Sequence, residues 1–403
     1  MARSDKEADD RASIGEGQPT GASDPANRRG PAPWPARHGN KRAKVYIVTP
    51  GGLAEKGGMG RLMSNITGHW RDTGGGPAYR IIDPYGPANL LIMPFYLIRA
   101  LGQVLRGALR GEIALLHIHM AAWGSAMRKG LFVHLGRGLG IPVILHLHAG
   151  DLAAFGAWLP GLARRALAAT VRRADRIVVL GGAWRAMAIK AFDLEPATVT
   201  VLPNAVAGPA EAPRRAPGDT CRIVYLGRIE AEKGIDELLQ ALADERLATL
   251  SWRASLVGDG AIARYRRQAA DLGLGERVVF TGWQDAAAID AILSESDIFV
   301  LPSHFEGLSV ALLEALAYGL APIATPVGAT EEVIVAGESG LLVPVGDSQG
   351  LAAALASLVT DRALRARLQA GARRRFNQNF EISGYCQRLE ALYRELIEPP
   401  TAD

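Results

Sequence analysis

Residues 297–325 read DIFVLPSHFEGLSVALLEALAYGLAPIAT, and they give the clearest indication of the fold class. A short apolar run ends at Pro302, a helix-forming segment follows, and a second apolar run begins at Ala321. Continuous rather than alternating apolar runs indicate strands buried on both faces, and two such strands joined by a helix pair in parallel. The stretch therefore predicts a β-α-β unit of a parallel sheet.

Two acidic residues, Glu306 and Glu314, stand within this otherwise small and apolar unit. If both stood on one continuous helix, eight residues apart, their side chains would point about 80° apart around the axis and lie about 12 Å apart along it. They are then too far apart to share a proton. The separation suits a site that grips two ends of one elongated ligand, with Glu306 in the loop and Glu314 one or two turns into the helix.

The pattern of buried strand and helical segment runs along the chain in two series. A chain of 403 residues is long enough for two domains. We therefore predict an α/β protein with two doubly wound, Rossmann-like parallel-sheet domains that face each other across a cleft, where the ligand lies at the carboxyl ends of the strands. The predicted strands are residues 44–50, 79–83, 113–119, 142–148, 175–180 and 198–203 in the first series, and residues 222–227, 252–258, 277–282, 297–302, 321–325 and 340–344 in the second.

Changes in composition set the expected boundaries. Residues 1–42 mix Gly, Pro, Ser, Asp and Arg without apolar periodicity, so we expect a disordered tail. The first domain is predicted over residues 43–205 and the second over 206–385. Residues 386–403 are expected to form a C-terminal helix and tail, for which packing back on the first domain is one arrangement.

Charge is distributed unequally between the halves. Residues 43–205 carry 18 Lys and Arg against 8 Asp and Glu, whereas residues 206–403 carry 19 against 27. A basic half with interspersed apolar residues is what an anionic membrane surface or an acidic acceptor attracts. No motif of a nucleic-acid-binding module accompanies the charge, so nucleic acid is not expected as a partner.

Cys221 and Cys386 give no disulfide framework, and we expect two buried free thiols in a reducing compartment. The N-terminal residues lack the apolar segment of a signal peptide, and no run of 18 apolar residues occurs. The sequence therefore predicts a cytoplasmic protein.

Two basic residues follow the first strand of the second series, in GRIEAEKG (227–234). Arg228 and Lys233 would lie in a loop at the carboxyl end of that strand, where two cations suit a diphosphate. Taken alone, such a loop is more often a solvated charged turn than a binding site. Gly307 and the amides after it open the helix that carries Glu314, and a helix N-terminus favours an anion.

Together, GRIEAEKG, SLVGDG (255–260), residues 297–325 and VGATEEVIVAGESGLLVPVGD (327–347) resemble the family 4 retaining glycosyltransferases of GT-B fold (glycosyl transferases group 1), in order and in spacing. The resemblance is strongest over residues 222–350. It is weaker but consistent over 44–204, where LPNAV resembles the family's PNGV turn with Ala205 in place of glycine.

The resemblance implies that the first domain binds the acceptor and the second a nucleotide sugar. Arg228 and Lys233 would neutralise the donor diphosphate, Glu314 would accept hydrogen bonds from the ribose, and Glu306 would contact the transferred sugar. The remaining donor-binding residues that it implies are Gly58, Gly227, Gly307, Leu308 and Ser309. No metal or other cofactor is expected, because Arg, Lys and backbone amides carry the charge stabilisation, and an α-linked product is expected from an α-type donor.

Four histidines end two predicted strands, in HIH (117–119) and HLHAGD (146–151). Zinc is one reading, but no third acidic or thiol ligand is evident in the sequence, so no metal site is predicted. His148 matches the family's active-site histidine, which implies a catalytic position near the anomeric carbon with His119 lining the acceptor cleft. Satisfied interior histidines are the preferred reading for His117 and His146.

Residues 88–111, ANLLIMPFYLIRALGQVLRGALRG, combine large apolar side chains with Arg99, Arg106 and Arg110. One reading is an ordinary core helix. The other is an interfacial helix whose apolar face lies among lipid headgroups while its arginines meet anionic lipid. With the basic balance of that half, we expect peripheral attachment to the inner face of the cytoplasmic membrane.

The predicted function is transfer of a sugar from GDP-mannose or a UDP-hexose to a glycan or polyprenyl-diphosphate-linked acceptor, in exopolysaccharide or lipopolysaccharide biosynthesis. Two alternatives stay open: a non-catalytic protein that binds nucleotide sugars or glycans, and a UDP-sugar epimerase of GT-B fold. The intact set of Arg228, Lys233, Glu306, Glu314 and His148 favours the transferase.

Overall fold

The computed structural model describes residues 43–50, 57–86, 91–121, 124–148, 159–215 and 218–398. The predicted tail, residues 1–42, lies outside the described residues, as do most of the first glycine loop and the residues just after His148. The described residues belong to one compact unit.

Twelve strands form two six-stranded parallel sheets, and one strand lies at each predicted apolar run, with ends that differ by a few residues. The strands of the first sheet are β1 (Lys44–Val48), β2 (Tyr79–Ile82), β3 (Ile113–Met120), β4 (Val143–Leu147), β5 (Arg176–Val179) and β6 (Val199–Val201), in the spatial order β2-β1-β3-β4-β5-β6. Those of the second are β7 (Cys221–Leu226), β8 (Trp252–Val257), β9 (Val278–Gly282), β10 (Ile298–Leu301), β11 (Ala321–Ala324) and β12 (Leu341–Leu342), in the order β12-β11-β10-β7-β8-β9. The predicted fold class is confirmed.

Helices connect the strands and cover both faces of each sheet. In the first half they are α1 (Gly58–Thr73), α2 (Met93–Leu109), α3 (Gly124–Gly138), α4 (Gly161–Arg172) and α5 (Gly182–Phe192). In the second half they are α6 (Ile235–Leu242), α7 (Glu245–Ala248), α8 (Ile262–Asp271), α9 (Ala286–Glu295), α10 (Val310–Ala317), α11 (Thr330–Val333), α12 (Ser348–Thr360), α13 (Arg362–Asn379) and α14 (Ile382–Ile397).

Several helices of the second half begin directly after an Asp or Ser residue that caps them. Asp285, Ser309, Asp347 and Asp361 each precede a helix, and each side chain accepts a hydrogen bond from a backbone N–H of the first turn. Such N-caps satisfy donors that the helix itself cannot, and each is worth about 1 kcal/mol.

The C-terminal helix α14 packs on the first sheet, although it follows the second in sequence. Its side chains Tyr385, Leu389 and Tyr393 share a buried cluster with Val45 of β1 and Leu62 of α1. Helices α1 and α14 thus cover one face of the first sheet, and α2 to α5 contribute to the core on the other. The last helix therefore ties the second half of the chain to the first.

Within the described residues, no helix combines the length and the apolarity that crossing a bilayer requires.

Candidate active site

The carboxyl ends of the two sheets present the predicted site residues. His119 lies in β3 and His148 follows β4, while Arg228 follows β7 and Glu306 lies in the loop after β10. The two domains meet at Gly307, where a Cβ atom would lie 3.2 Å from the carbonyl oxygen of His148. A Cβ atom at this position would require one of the two loops to shift by a few tenths of an ångström, so the domains approach closely here.

Two helices begin at the same point of the cleft. Gly58 opens α1, and a Cβ atom there would lie 3.3 Å from Cγ2 of Val310, which opens α10. The hydroxyl of Ser309 caps α10 by accepting from the N–H of Leu312 at 3.3 Å. Because a helix N-terminus carries positive partial charge, two converging N-termini favour an anionic group of a ligand.

The loop that carries Glu306 is held from both domains. Asn204 of the first half donates its side-chain N–H to the carbonyl of buried Leu308 at 3.2 Å. From the second half, Gly328 approaches so closely that a Cβ atom would lie 2.2 Å from the carbonyl oxygen of Glu306. Gly328 also has a φ of +60°, which other residues rarely adopt, so this position requires glycine.

Lys233 and Glu306 form an ion pair. Nζ of Lys233 lies 2.7 Å from Oε1 of Glu306, and the hydroxyl of Ser303 donates to the same oxygen at 2.8 Å. The Glu306 side chain is only 13% exposed. The sequence predicted a role for each residue, but not that they contact each other.

Arg228 occupies a more open position. Its side chain is 67% exposed, and its guanidinium lies 2.5 Å from the carboxylate of Glu230. The Tyr225 hydroxyl donates to the Arg228 carbonyl at 2.8 Å. A Cβ atom at Gly258 would lie 1.8 Å from the Gly227 carbonyl oxygen, so this turn is fixed by close backbone packing while the guanidinium faces solvent.

Glu314 lies in the second turn of α10 and is bonded to a residue of the first domain. Nε of Arg61, in α1, donates to Oε1 of Glu314 at 2.6 Å. The Glu314 side chain is 8% exposed. Burial raises the pKa of Glu314, and the charge of Arg61 opposes that rise.

Arg61 is not among the site residues predicted from the sequence. One signal was present: Arg61 stands in the first turn of α1, where a cation is disfavoured by the helix dipole. A cation at that position indicates a carboxylate partner, but only the fold identifies the partner as Glu314.

The four histidines form a stack between β3 and β4. His119 and His146 are opposite each other in the register of the two strands. Nδ1 of His119 lies 2.6 Å from Nε2 of His148, and Nε2 of His117 lies 3.3 Å from Nδ1 of His146. Nδ1 of His117 lies 2.7 Å from the Tyr393 hydroxyl of α14. The C-terminal helix is thus hydrogen-bonded, through Tyr393, to His117 and onward to His146 in the first domain.

Burial keeps these imidazoles neutral at physiological pH. It lowers the pKa of His117 to about 3, with a contribution from His148. It likewise lowers the pKa of His148 to about 3, to which Lys129 adds. His117 has both ring nitrogens bonded, as predicted, whereas among the described residues nothing pairs with Nε2 of His146 or of His119.

A metal-ligand geometry is partly present in this stack. One ring nitrogen from each of His117, His119 and His146 lies within 4.8 Å of the others, although no metal site was predicted from the sequence. However, the nearly inaccessible Lys129 ammonium, which donates to the His119 carbonyl at 3.0 Å, lies in the same core. A buried cation beside the histidines disfavours a second, divalent one, because buried charges require compensation.

Two family models match consecutive parts of the chain. The model of Glycosyltransferase Family 4 matches residues 37–207, and that of Glycosyl transferases group 1 matches residues 210–375. The first match contains the sheet with the histidine stack, and the second contains the sheet with Lys233, Glu306 and Glu314.

Individual relatives match smaller shares of the chain. Glycogen synthase of Mycobacterium tuberculosis is 27% identical over 254 residues, which are 60% of this chain and 60% of that protein. The lipopolysaccharide core biosynthesis glycosyltransferase LpsE of Rhizobium meliloti is 36% identical over 154 residues, 38% of this chain and 43% of the relative. The chain thus spans three fifths or less of the length of these curated relatives.

A solved structure shares the fold. HepE of Anabaena, crystallised in complex with UDP, superposes with a TM-score of 0.69 at 17% identity, over 88% of this chain and 100% of that chain.

Proposed function

Because the chain belongs to the family 4 glycosyltransferases of GT-B fold, we propose that it transfers a hexosyl group from a nucleoside-diphosphate sugar to a glycan or polyprenyl-diphosphate-linked acceptor. The ion pair of Lys233 and Glu306 carries this proposal, because it holds a cation and a carboxylate close to where Gly307 touches His148. A cation there stabilises a departing diphosphate, and a carboxylate accepts strong hydrogen bonds from sugar hydroxyls.

The donor would lie along the second domain. Arg228 and Lys233 neutralise its diphosphate, and Glu306 contacts the transferred sugar. Helices α1 and α10 begin at Gly58 and Val310, and the backbone N–H groups of their first turns are further donors for the diphosphate. Glu314, four residues further along α10, reaches the ribose.

The donor is a UDP-hexose or GDP-mannose. The UDP complex of HepE supports a uridine nucleotide, whereas the family resemblance slightly favours GDP-mannose. Similarity to LpsE, named for lipopolysaccharide core biosynthesis, supports a place in lipopolysaccharide or exopolysaccharide assembly.

We further propose that transfer retains the donor's anomeric configuration and requires no metal. Arg228 and Lys233 supply positive charge at the leaving diphosphate. In metal-dependent transferases, a divalent ion stabilises that negative charge instead. His148 is neutral because burial lowers its pKa to about 3, so its ring does not repel the positive charge that develops on a reacting sugar. Turnover should be unchanged in excess EDTA. Loss of turnover that added Mg²⁺, Mn²⁺ or Zn²⁺ restores would contradict metal independence.

The proposal is tested by incubating the protein with UDP-glucose, UDP-galactose and GDP-mannose, with and without lipid-linked acceptor. Acceptor-dependent release of UDP or GDP supports a transferase. Binding without any turnover would indicate the non-catalytic alternative, and a new sugar epimer formed without acceptor would indicate the epimerase.

The exposed side of α2 supports attachment to a membrane. At 100° per residue, Phe95, Ile98, Leu105 and Leu109 fall within an arc of about 80°. All four are exposed, Ile98 at 70% and Leu109 at 78%. The opposite side of α2 packs in the core through Ala100, Val104 and Gly107. The two interpretations of this segment therefore each apply to a different side of α2: one side is exposed and apolar, and the other packs in the core.

Arginines flank this apolar stripe. Arg99 and Arg106 of α2, and Arg110 directly after it, occupy the next 60° or so of the helix surface and are exposed. Arg110 also lies 3.9 Å from the carboxylate of Glu112. Exposed apolar side chains beside a row of cations suit a bilayer with anionic lipid, where each basic residue contributes about 1 kcal/mol. We propose that α2 attaches the protein to the inner face of the cytoplasmic membrane, where a lipid-linked acceptor is found.

A further inference from the structure

The bond between Arg61 and Glu314 joins the two domains at the donor site. Arg61 lies in the first turn of α1, and Glu314 lies in the second turn of α10. The Nε–Oε1 distance is 2.6 Å, and one terminal nitrogen of Arg61 lies 3.7 Å from Oδ1 of Asp290 in α9. One cation of the first domain is thus held between two carboxylates of the second.

Arg61 occupies only one side of the Glu314 carboxylate. Within the part of the chain that the structure describes, Oε1 accepts the bond from Arg61 and Oε2 accepts none. The side chain is only 8% exposed, but Oε2 is not among the fully enclosed side-chain oxygens that lack a partner, so it keeps some access. A ligand hydroxyl can therefore reach Oε2 and donate to a charged acceptor, which makes a strong hydrogen bond.

We propose that Arg61 is a positioning residue for nucleotide binding: it fixes Oε1 of Glu314 so that Oε2 accepts the ribose hydroxyls of the donor. The proposal rests on the ribose contact of Glu314 under the proposed function. It adds that the first domain, which holds the acceptor side, also determines how tightly the second domain holds the nucleotide.

Electrostatics agree with this geometry. Burial and Asp290 raise the pKa of Glu314, and Arg61 opposes both. Burial raises the pKa of Tyr318, the residue that follows α10, and Asp290 adds to that rise. Without Arg61, Glu314 would face Asp290 with no cation between them and would hold a proton more readily. A protonated carboxyl accepts fewer hydrogen bonds from a ribose.

The test compares nucleotides with and without ribose hydroxyls by calorimetry. The probes are UDP and GDP and their 2′,3′-dideoxy forms, measured on the full-length parent, Arg61→Ala and Arg61→Lys. Arg71→Ala is the matched control, because Arg71 lies on the same helix but is 79% exposed and pairs with Asp72. Thermal unfolding of each variant confirms that it is folded.

The parent should bind the ribonucleotide at least tenfold more tightly than its dideoxy form, as a hydrogen bond to a charged group predicts. Arg61→Ala should reduce that ratio to near one, Arg61→Lys should restore part of it, and Arg71→Ala should leave it unchanged. A parental ratio in Arg61→Ala overturns the positioning role while leaving the proposed function intact. A ratio near one in the parent, or no nucleotide binding at all, overturns the ribose contact and this inference together.

Discussion

Nζ of Lys233 lies 2.7 Å from Oε1 of Glu306, although 72 residues separate them between positions 233 and 306. Lys233 follows β7 and Glu306 follows β10, and these strands are neighbours in the second sheet. Parallel neighbours end at the same edge, so the sheet order brings the two residues together. A diphosphate that binds here must compete with Glu306 for the Lys233 ammonium.

Replacing Lys233 or Arg228 by alanine should lower turnover by roughly 10²-fold or more, because each removes a preorganised charge from the leaving group. Steady-state release of nucleoside diphosphate measures the effect. Lys190→Ala, which removes an exposed lysine of α5, is the matched control. Near-parental turnover in a folded Lys233→Ala protein would refute the diphosphate assignment.

Replacing Glu314 by glutamine should mainly weaken donor binding. The amide keeps the shape of the side chain but loses the charge that strengthens acceptance from hydroxyls and the ion pair with Arg61. Calorimetry with UDP or GDP measures the change. Equal nucleotide affinity in the two proteins would count against a ribose contact.

The strand positions could be predicted from the sequence, because a buried parallel strand is a continuous apolar run between turn residues. KVYIV and IFVL are two such runs. The sequence was also sufficient to place Glu306 in a loop and Glu314 in a helix. It was insufficient for contacts between distant segments. Arg61 with Glu314, and His117 with Tyr393, lie 253 and 276 residues apart, and no local pattern specifies which residue pairs with which.

The stack of neutral histidines should make the protein sensitive to acid. An unfolded histidine binds a proton below about pH 6.5, whereas burial holds the pKa of His117 at about 3 in the folded state. The unfolded state therefore binds more protons between these values, and stability falls as the pH falls through this window. Each such histidine contributes up to about 1.4 kcal/mol per pH unit.

Replacing His117 by asparagine, which does not titrate, should flatten this dependence while costing some stability at pH 7. Urea unfolding between pH 5 and 6.5 measures the slope for both proteins, in a range above the titration of most carboxylates. Identical slopes would show that His117 is not held neutral in the folded protein.

Attachment to the membrane should have two separable components. Replacing Arg99, Arg106 and Arg110 together by serine should reduce sedimentation with anionic vesicles and its salt sensitivity, because salt screens surface charge over about 8 Å at physiological strength. Replacing Phe95, Ile98 and Leu109 by serine should remove the salt-resistant part.

A triple serine variant of Arg253, Arg266 and Arg267, exposed arginines of the second half, is the matched control for net charge and should bind like the parent. Transfer to a soluble acceptor analogue should persist in all three proteins. If the α2 arginine variant binds anionic vesicles as well as the parent does, α2 is an ordinary domain helix.

Sugar transfer with retention of configuration can be followed by proton NMR in one reaction mixture. The mixture contains the protein, a nucleotide sugar and a lipid-linked acceptor, and the anomeric proton of the sugar is followed over time. We expect the donor signal to decline as a glycosylated acceptor of the same α configuration and free nucleoside diphosphate appear in equal amounts. An unchanged donor with every nucleotide sugar, or its conversion to an epimer without any glycosylated acceptor, would show that the protein is not a glycosyltransferase.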